Sequence, residues 1–384
     1  MSGRDDRTVS GMDNLTHSLF ALTLERTSLG RDVRGRTAAL LLASNAPDID
    51  VVSLAGGSVQ YLEWHRSVTH GPLGIVCLGA ITAGLVHAGL RIWDREQPTR
   101  ASFAALAGLS ILAVLLHVLM DLPTSYGTRI LSPFDWHWFT TDSIPIVDIY
   151  LWVALAAGLY WGRASEATRR RSATIALSLM MINYGVRAAA HHRALTLAPR
   201  LFGPGWPEPC RNVEPRGPLV DRWPRDTRFA QAPGQVRCLV ELAAIPSLVS
   251  PFAWRVVAET SDGYDLQDVN VLDRRFWTSA REPEVLWRQA TRYPNQWSAP
   301  ALEAASAPTA RIFLGFARFP AVQIFRDRSG GITVQFADVR FVGVGPPGPD
   351  RPRGEGAGPN ARSLFGATVR FAPDGSLVED QLGP

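Results

Sequence analysis

The 384-residue sequence has no lysine: all 39 basic residues are arginine. The net charge is only +4, and no arginine stripe interleaved with aromatics occurs. A nucleic-acid partner is therefore not expected. Cysteine is nearly absent too, at Cys77, Cys210 and Cys238. With no CxxC pair, a thiolate zinc site is excluded. The first eleven residues are polar and carry both charge signs. The apolar stretch behind them holds His17 and Glu25, which is not the pattern of a signal peptide.

Charge itself is missing from long stretches of the front half. Residues 71–90 and 101–120 contain no Asp, Glu or Arg. Residues 144–161 contain only Asp148, and residues 172–190 only Arg187. Since roughly 20 apolar residues cross a bilayer, these four stretches are expected spans. Trp93, Trp136, Trp138, Trp152 and Trp161 fall near their ends, where interface aromatics gather. The helix predicted to start at Asp13 or Asn14 is too short and polar to span. The apolar helix over 37–46, stopped by Pro47, is expected to be re-entrant or interfacial. Cys77, inside the first span, is expected to be a buried small hydrophobe.

After residue 190 the pattern changes to Pro, Gly and short alternating runs. Residues 254–257, 311–314, 332–336 and 367–371 read as strands, and 345–360 as a Pro/Gly-rich loop or insert. The expected fold is α+β. An all-α transmembrane helical bundle (12–190) precedes a β-rich soluble domain (191–384) with Pro/Gly-rich loops. With four spans, the Arg-dense loops 91–100 and 162–171 share one side, which the positive-inside rule makes cytoplasmic. The back half is then extracytoplasmic, where Cys210 and Cys238 could pair. The basic stretch 26–36 argues the other way.

The polar residues that interrupt this apolar chain sort by topology. His65 and His70 precede the first span, and His117 and Asp121 end the second. Because consecutive spans are antiparallel, all four belong to one membrane face. His17, Asp48 and Asp50 lie before the first span and share that face. His87 ends on the other and reads as structural; His137, His191 and His192 are not assigned to the site. His117 and Asp121, four apart, lie on one helix face. Ionisable residues beside a bilayer are costly unless paired or metal-bound. The candidate metal ligands are therefore His17, Asp48, Asp50, His65, His70, His117 and Asp121. Imidazole plus carboxylate suits zinc, with manganese or iron as alternatives. Seven candidates allow one to three ions. Asp50, Asp121 and His70 are the catalytic candidates. Arg66 could hold an anionic substrate group, with Ser125 and Tyr126 lining the pocket. Asp148 could orient a ligand histidine.

Five motifs together resemble the YdjM-type membrane-bound metal-dependent hydrolases. They are Met12-Asp13-Asn14-Leu15-Thr16-His17, Ala46-Pro47-Asp48-Ile49-Asp50, His65-Arg66-Ser67-Val68-Thr69-His70, His117-Val118-Leu119-Met120-Asp121 and Thr124-Ser125-Tyr126-Gly127. The resemblance covers about residues 12–165. The His and Asp spacing is also similar, more distantly, to the zinc-dependent phospholipase C and single-strand nuclease group. That likeness implies a multinuclear zinc site hydrolysing phosphodiesters, although no N-terminal Trp stands ready to give an amino-group ligand. The resemblance implies a multi-pass protein of the bacterial inner membrane. Its substrate is expected to be a phospholipid or other amphiphilic ester reached from the bilayer. The rival reading is a membrane scaffold or binding protein with a structural metal.

Overall fold

The computed structural model describes residues 5–94, 100–211, 221–224, 237–276, 290–295, 297–342 and 366–383. The expected insert at 345–360 lies outside them. The chain divides into two compact units; the main division falls within one helix, between Ala189 and Ala190, while residues 56–63 group with the second unit and residues 248–251 with the first.

The first unit is helical. Its elements are α1 (Asp5–Glu25), α2 (Arg36–Ala43), a 3-10 turn (Pro47–Gly56), α4 (Pro72–Asp94), α5 (Arg100–Asp121), α6 (Ile149–Trp161) and the first part of α7 (Glu166–Phe202); α3 (Ser58–Trp64) lies between the turn and α4. Pro72 opens α4 at the position where a missing N–H is harmless. Among the described residues, three stretches are long and apolar enough to cross a membrane: Pro72–Ile92, Ser102–Asp121 and Glu166–Gly205. The bent pair Arg36–Ala43 and Pro47–Gly56 would make a fourth if it is one broken span.

Two expectations about the spans are corrected. The stretch over 144–161 forms only the 13-residue helix α6. At 1.5 Å per residue it reaches about 20 Å, short of a bilayer core. It starts late because Asp148 is its N-cap, accepting hydrogen bonds from the Tyr150 and Leu151 backbone N–H groups (2.8 and 3.4 Å). The helix expected over 172–190 runs on to Phe202. Its last three turns bury Ala190, Ala194, Leu197, Ala198 and Leu201 in the core of the second unit. Cys77 is also exposed rather than buried, on a face of α4 with Val76 and Ile81 that would meet lipid.

Inside the helical unit, Phe20, Met120, Leu151, Leu155, Ala176 and Met180 join α1, α5, α6 and α7. Ala21, Leu40, Ala43, Ala113 and Val114 join α1, α2 and α5. Trp152 Nε1 donates to Thr16 Oγ1 (2.8 Å), fixing α1 beside α6.

The second unit is β-rich. After the short strands β1 (Trp138–Thr140), in the first unit, and β2 (Asp221–Trp223), the strands β3 (Leu239–Pro246), β4 (Ala253–Thr260), β5 (Gly263–Asn270) and β6 (Thr291–Pro294) form one antiparallel sheet in that order. The other sheet has the order β10-β9-β8-β7, with β7 (Pro320–Arg326), β8 (Ile332–Asp338), β9 (Gly366–Phe371) and β10 (Leu377–Leu382). Strand alternation puts Ala244, Trp254, Val256 and Val269 against the end of α7. Ala243, Ile245, Val257 and Leu266 face Phe319, Ala321 and Val339 of the other sheet's side. The Cys210–Cys238 disulfide is formed.

Three of the four expected strands are strands; 311–314 is not. It lies in a helix, Pro308–Phe316. Ala310, Phe313 and Phe316 are buried at a spacing of three, a helical period that the short alternating run masks. Asp380 caps this helix by accepting from the Thr309 and Ala310 N–H groups (2.8 and 3.2 Å).

Candidate metal centre

The last turn of α5 carries His117 and Asp121, and the 3-10 turn Val68–His70 carries His70 just ahead of α4. α4 and α5 pack side by side, so these segments meet at one end of the pair. Asp48, at the start of the Pro47–Gly56 turn, completes a buried group of four. One ligand atom from each of Asp48, His70, His117 and Asp121 lies within 4.8 Å of all the others.

The far side of each imidazole is already engaged. His117 Nδ1 lies 2.7 Å from the Ser44 carbonyl oxygen, which can only accept. The proton therefore sits on Nδ1, and Nε2 carries the lone pair in the neutral ring. His70 Nδ1 lies 2.9 Å from Thr69 Oγ1, whose hydroxyl points on to Asp50 Oδ2 (3.4 Å). That chain leaves His70 Nε2 bare as well. The two Nε2 atoms face each other at 3.3 Å. Asp121 Oδ2 is 3.3 Å from His70 Nε2 and 3.4 Å from His117 Nε2. Asp48 Oδ1 is 3.9 and 3.5 Å from the same atoms. Burial outweighs the nearby carboxylates of Asp121 and Asp50 and holds His70 below the ordinary histidine range.

Four lone-pair atoms thus converge in a buried space. Two carboxylates at such a distance repel by about 3–4 kcal/mol at an effective dielectric of 20. Asp48 Oδ2 is buried without a hydrogen-bond partner among the described residues. A cation answers both facts. Two imidazoles, two carboxylates and no thiolate fit zinc, manganese or iron.

Of the seven expected ligands, four form this group. His17 adjoins it: its Nε2 is 3.4 Å from Asp121 Oδ1, and its ring stacks on His117 with centroids 3.8 Å apart. Asp50 and His65 stand one layer out. Asp50 Oδ1 pairs with His65 Nδ1 (3.2 Å), and Oδ2 accepts the Arg66 backbone N–H (2.7 Å). Asp50 Oδ2 is 3.7 Å from His70 Nδ1, on the side away from the four-group cluster. Its position is that of a carboxylate orienting a ligand histidine.

Arg66 is almost wholly buried, and its backbone is left-handed (φ 49°). Its Nη2 is 3.2 Å from Asp121 Oδ1, its Nη1 donates to Thr124 Oγ1 (2.8 Å), and its Cζ lies over the Tyr126 ring at 5.3 Å. Ser125 and Tyr126 are buried in the same turn. The expected role of Asp148 is corrected. It caps α6 and pairs with Arg187 Nε at 2.6 Å rather than with a histidine. Sequence reasoning also missed Thr69, the Ser44 carbonyl and Thr124. Thr69 and Thr124 sit inside recognised motifs, but a backbone carbonyl leaves no residue-type signal.

Residues 12–194 match the family described as YdjM inner membrane protein. A Bacillus subtilis (strain 168) protein described as uncharacterized protein YfhP is 28% identical over 159 residues, covering 39% of this chain and 46% of that protein. The chain thus spans under half the length of that relative. No solved structure matches. The helical stretch 12–194, which carries the buried Asp48–His70–His117–Asp121 group, is thus similar to the YdjM inner membrane protein family.

Proposed function

We propose that the helical unit is a membrane-bound, metal-dependent hydrolase acting on a phosphoester, a phospholipid or another amphiphilic ester. The observation that carries this reading is the convergence of two bare Nε2 atoms and two carboxylate oxygens, beside the guanidinium of Arg66. Asp48, His70, His117 and Asp121 would hold a divalent ion, zinc first, with manganese or iron as alternatives. His17, Asp50 and His65 are the donors left for any second or third ion.

Such an ion supplies Lewis acidity and generates a nucleophile from water near neutral pH. Asp121 would hold the ion through Oδ2, which faces the imidazoles, and would be the carboxylate nearest a water activated there, while His17 and Arg66 steady its Oδ1. His70 holds its lone pair inward through Thr69 and Asp50. Arg66 binds a phosphoryl or carboxyl oxygen of the substrate, with Ser125 and Tyr126 shaping that side. Asp50 orients rather than reacts. Ile49, Val51 and Val52, exposed beside Asp48 and Asp50, give an amphiphile an apolar approach from the bilayer. The Cys210–Cys238 disulfide supports an extracytoplasmic second unit.

Elemental analysis of detergent-purified wild type, His70→Ala and Asp121→Ala tests the site. One or more zinc, manganese or iron ions in wild type, lost in both variants, is the expected result. A folded wild type that stays metal-free after zinc loading overturns the reading. Four protein ligands also suit a closed structural zinc in a scaffold. Hydrolysis of a chromogenic phosphodiester and of phospholipid vesicles separates the two. Stoichiometric metal with no turnover on either substrate favours the scaffold.

A further inference from the structure

Arg187 lies on α7, outside the metal group, and is fully buried. Its Nε pairs with Asp148 Oδ2 at 2.6 Å. Asp148 is otherwise committed. Its Oδ1 accepts the Tyr150 and Leu151 backbone N–H groups, and its Oδ2 also accepts Asn183 Nδ2 at 3.0 Å. Arg187 Nη1 and Nη2 are buried and find no hydrogen-bond acceptor among the described residues. These two atoms carry four of the five N–H donors of the side chain. Leaving charged donors buried and unmet is costly, most of all on an apolar helix.

The position of the fork narrows what meets it. Asp148 marks the start of α6. Tyr184, one turn before Arg187, packs in the cluster that includes Met120, the neighbour of Asp121. Arg187 therefore sits at the end of the helical unit where α5 finishes, at the level of span ends rather than mid-span. Its Cζ lies over the Tyr150 ring at 5.9 Å, and Tyr150 is half exposed. Tyrosine at this depth is typical of the headgroup boundary. Val153 and Val186 are exposed close by in sequence, offering an apolar rim.

We propose that the Nη fork of Arg187 is a binding site for a phosphoryl oxyanion, presented by an anionic lipid headgroup or by free phosphate. Two parallel N–H donors match two phosphoryl oxygens. Asp148, itself steadied by Asn183, meets the guanidinium at its Nε edge, and both Nη groups remain without an acceptor among the described residues. The site uses no metal and implies no hydrolysis, so it stands or falls apart from the hydrolase reading.

The test uses the full chain, delipidated in detergent, beside Arg187→Gln and Arg187→Lys. Lysine keeps the charge and can keep the Asp148 pair, but it lacks the fork. Native mass spectrometry with phosphatidylglycerol against diacylglycerol reads the lipid source. A thermal shift with inorganic phosphate alone reads the free source. Wild type is expected to prefer phosphatidylglycerol, or to respond to phosphate, by about tenfold or more over both variants, the scale of a charged hydrogen bond. A response in the first arm alone assigns the site to lipid, and in the second alone to free phosphate. Variants that bind like wild type overturn the proposal. If neither variant folds, wild type decides: equal retention of both lipids together with no phosphate shift overturns it.

Discussion

Thr69→Val is the sharpest probe of how the metal centre is oriented. Valine keeps the branched shape and removes only the hydroxyl. In wild type that oxygen lies 2.9 Å from His70 Nδ1 and 3.4 Å from Asp50 Oδ2. Asp50 cannot take over without movement, because its Oδ2 is 3.7 Å from Nδ1, beyond hydrogen-bond range. His70 then keeps a buried Nδ1 without a partner, a cost of about 1–3 kcal/mol. Part of that cost is relieved if the proton moves to Nε2, which removes the lone pair the ion needs. Loss of such an orienting partner weakens metal binding by about 10–100-fold, or about 1.4–2.8 kcal/mol. Zinc affinity is measured by competition with a chromophoric chelator, with Thr69→Ser as the variant that keeps the hydroxyl. The expected order is wild type, then Ser close behind, then Val. A valine variant that binds zinc within about twofold of wild type would refute the orienting chain.

Other consequences follow from the same coordinates. A Cβ on Gly74 would lie 2.3 Å from the Val68 carbonyl oxygen and 2.5 Å from that of Thr69, so Gly74→Ala should displace the His70 turn and lower zinc content. Gly84→Ala, with nothing within 4 Å of its Cβ, should leave it unchanged; equal zinc in both variants would contradict this. Reducing the Cys210–Cys238 bond, with its sequence separation of 28, should destabilise the β-rich unit by about 3.6 kcal/mol on the loop-entropy relation, read as a lower melting temperature in dithiothreitol. Burial first, then the Glu259 carboxylate, push the Tyr264 hydroxyl well above its ordinary value of 10.0. The unfolded chain therefore ionises first, so this contribution is whole below pH 10 and is lost as pH rises beyond it. Tyr264→Phe should flatten the fall of melting temperature between pH 9 and 11, while losing the hydrogen bond to the Pro320 carbonyl oxygen (3.0 Å); an unchanged slope would count against this.

The four candidate ligands are legible in the sequence because an apolar chain makes every ionisable residue conspicuous, and antiparallel spans sort them by face. Their partners are less legible. Ser44 acts through its carbonyl, which any residue there would supply. Asp148 reads as a candidate ligand partner until its distance to Arg187 is known, since 39 residues separate the two in sequence. The spans fail where length decides. The apolar run at 144–161 is long enough on paper, but Asp148 finds the α6 N–H groups and cuts five residues off the helix. In the β-rich unit, Arg311-Ile312-Phe313-Leu314 alternates over only four residues. Pro308 and the distant Asp380 settle it as helix, and Asp380 is 70 residues from Ala310.

Arg66 separates what the fold needs from what the site needs. A left-handed backbone at φ 49° favours Gly or Asn, and holding a long side chain there costs about 1 kcal/mol or more. The strain is held in place by Asp50, which accepts the Arg66 N–H, and by Arg129, whose N–H donates to the Arg66 carbonyl oxygen at 3.0 Å. Backbone demands alone would therefore choose asparagine, so the guanidinium is kept for its contact with Asp121. Arg66→Asn should relieve the strain yet leave Asp121 Oδ1 with His17 only. Without metal, the variant should be destabilised by about 3–5 kcal/mol, the cost of a buried charge that loses its partner. With zinc bound, the ion neutralises Asp121 and most of that loss should vanish. Melting temperatures of wild type and variant, with chelator and with zinc, read the difference directly. A zinc-independent gap would mean that Arg66 itself is the cation the two carboxylates require, and that the cluster closes without an ion.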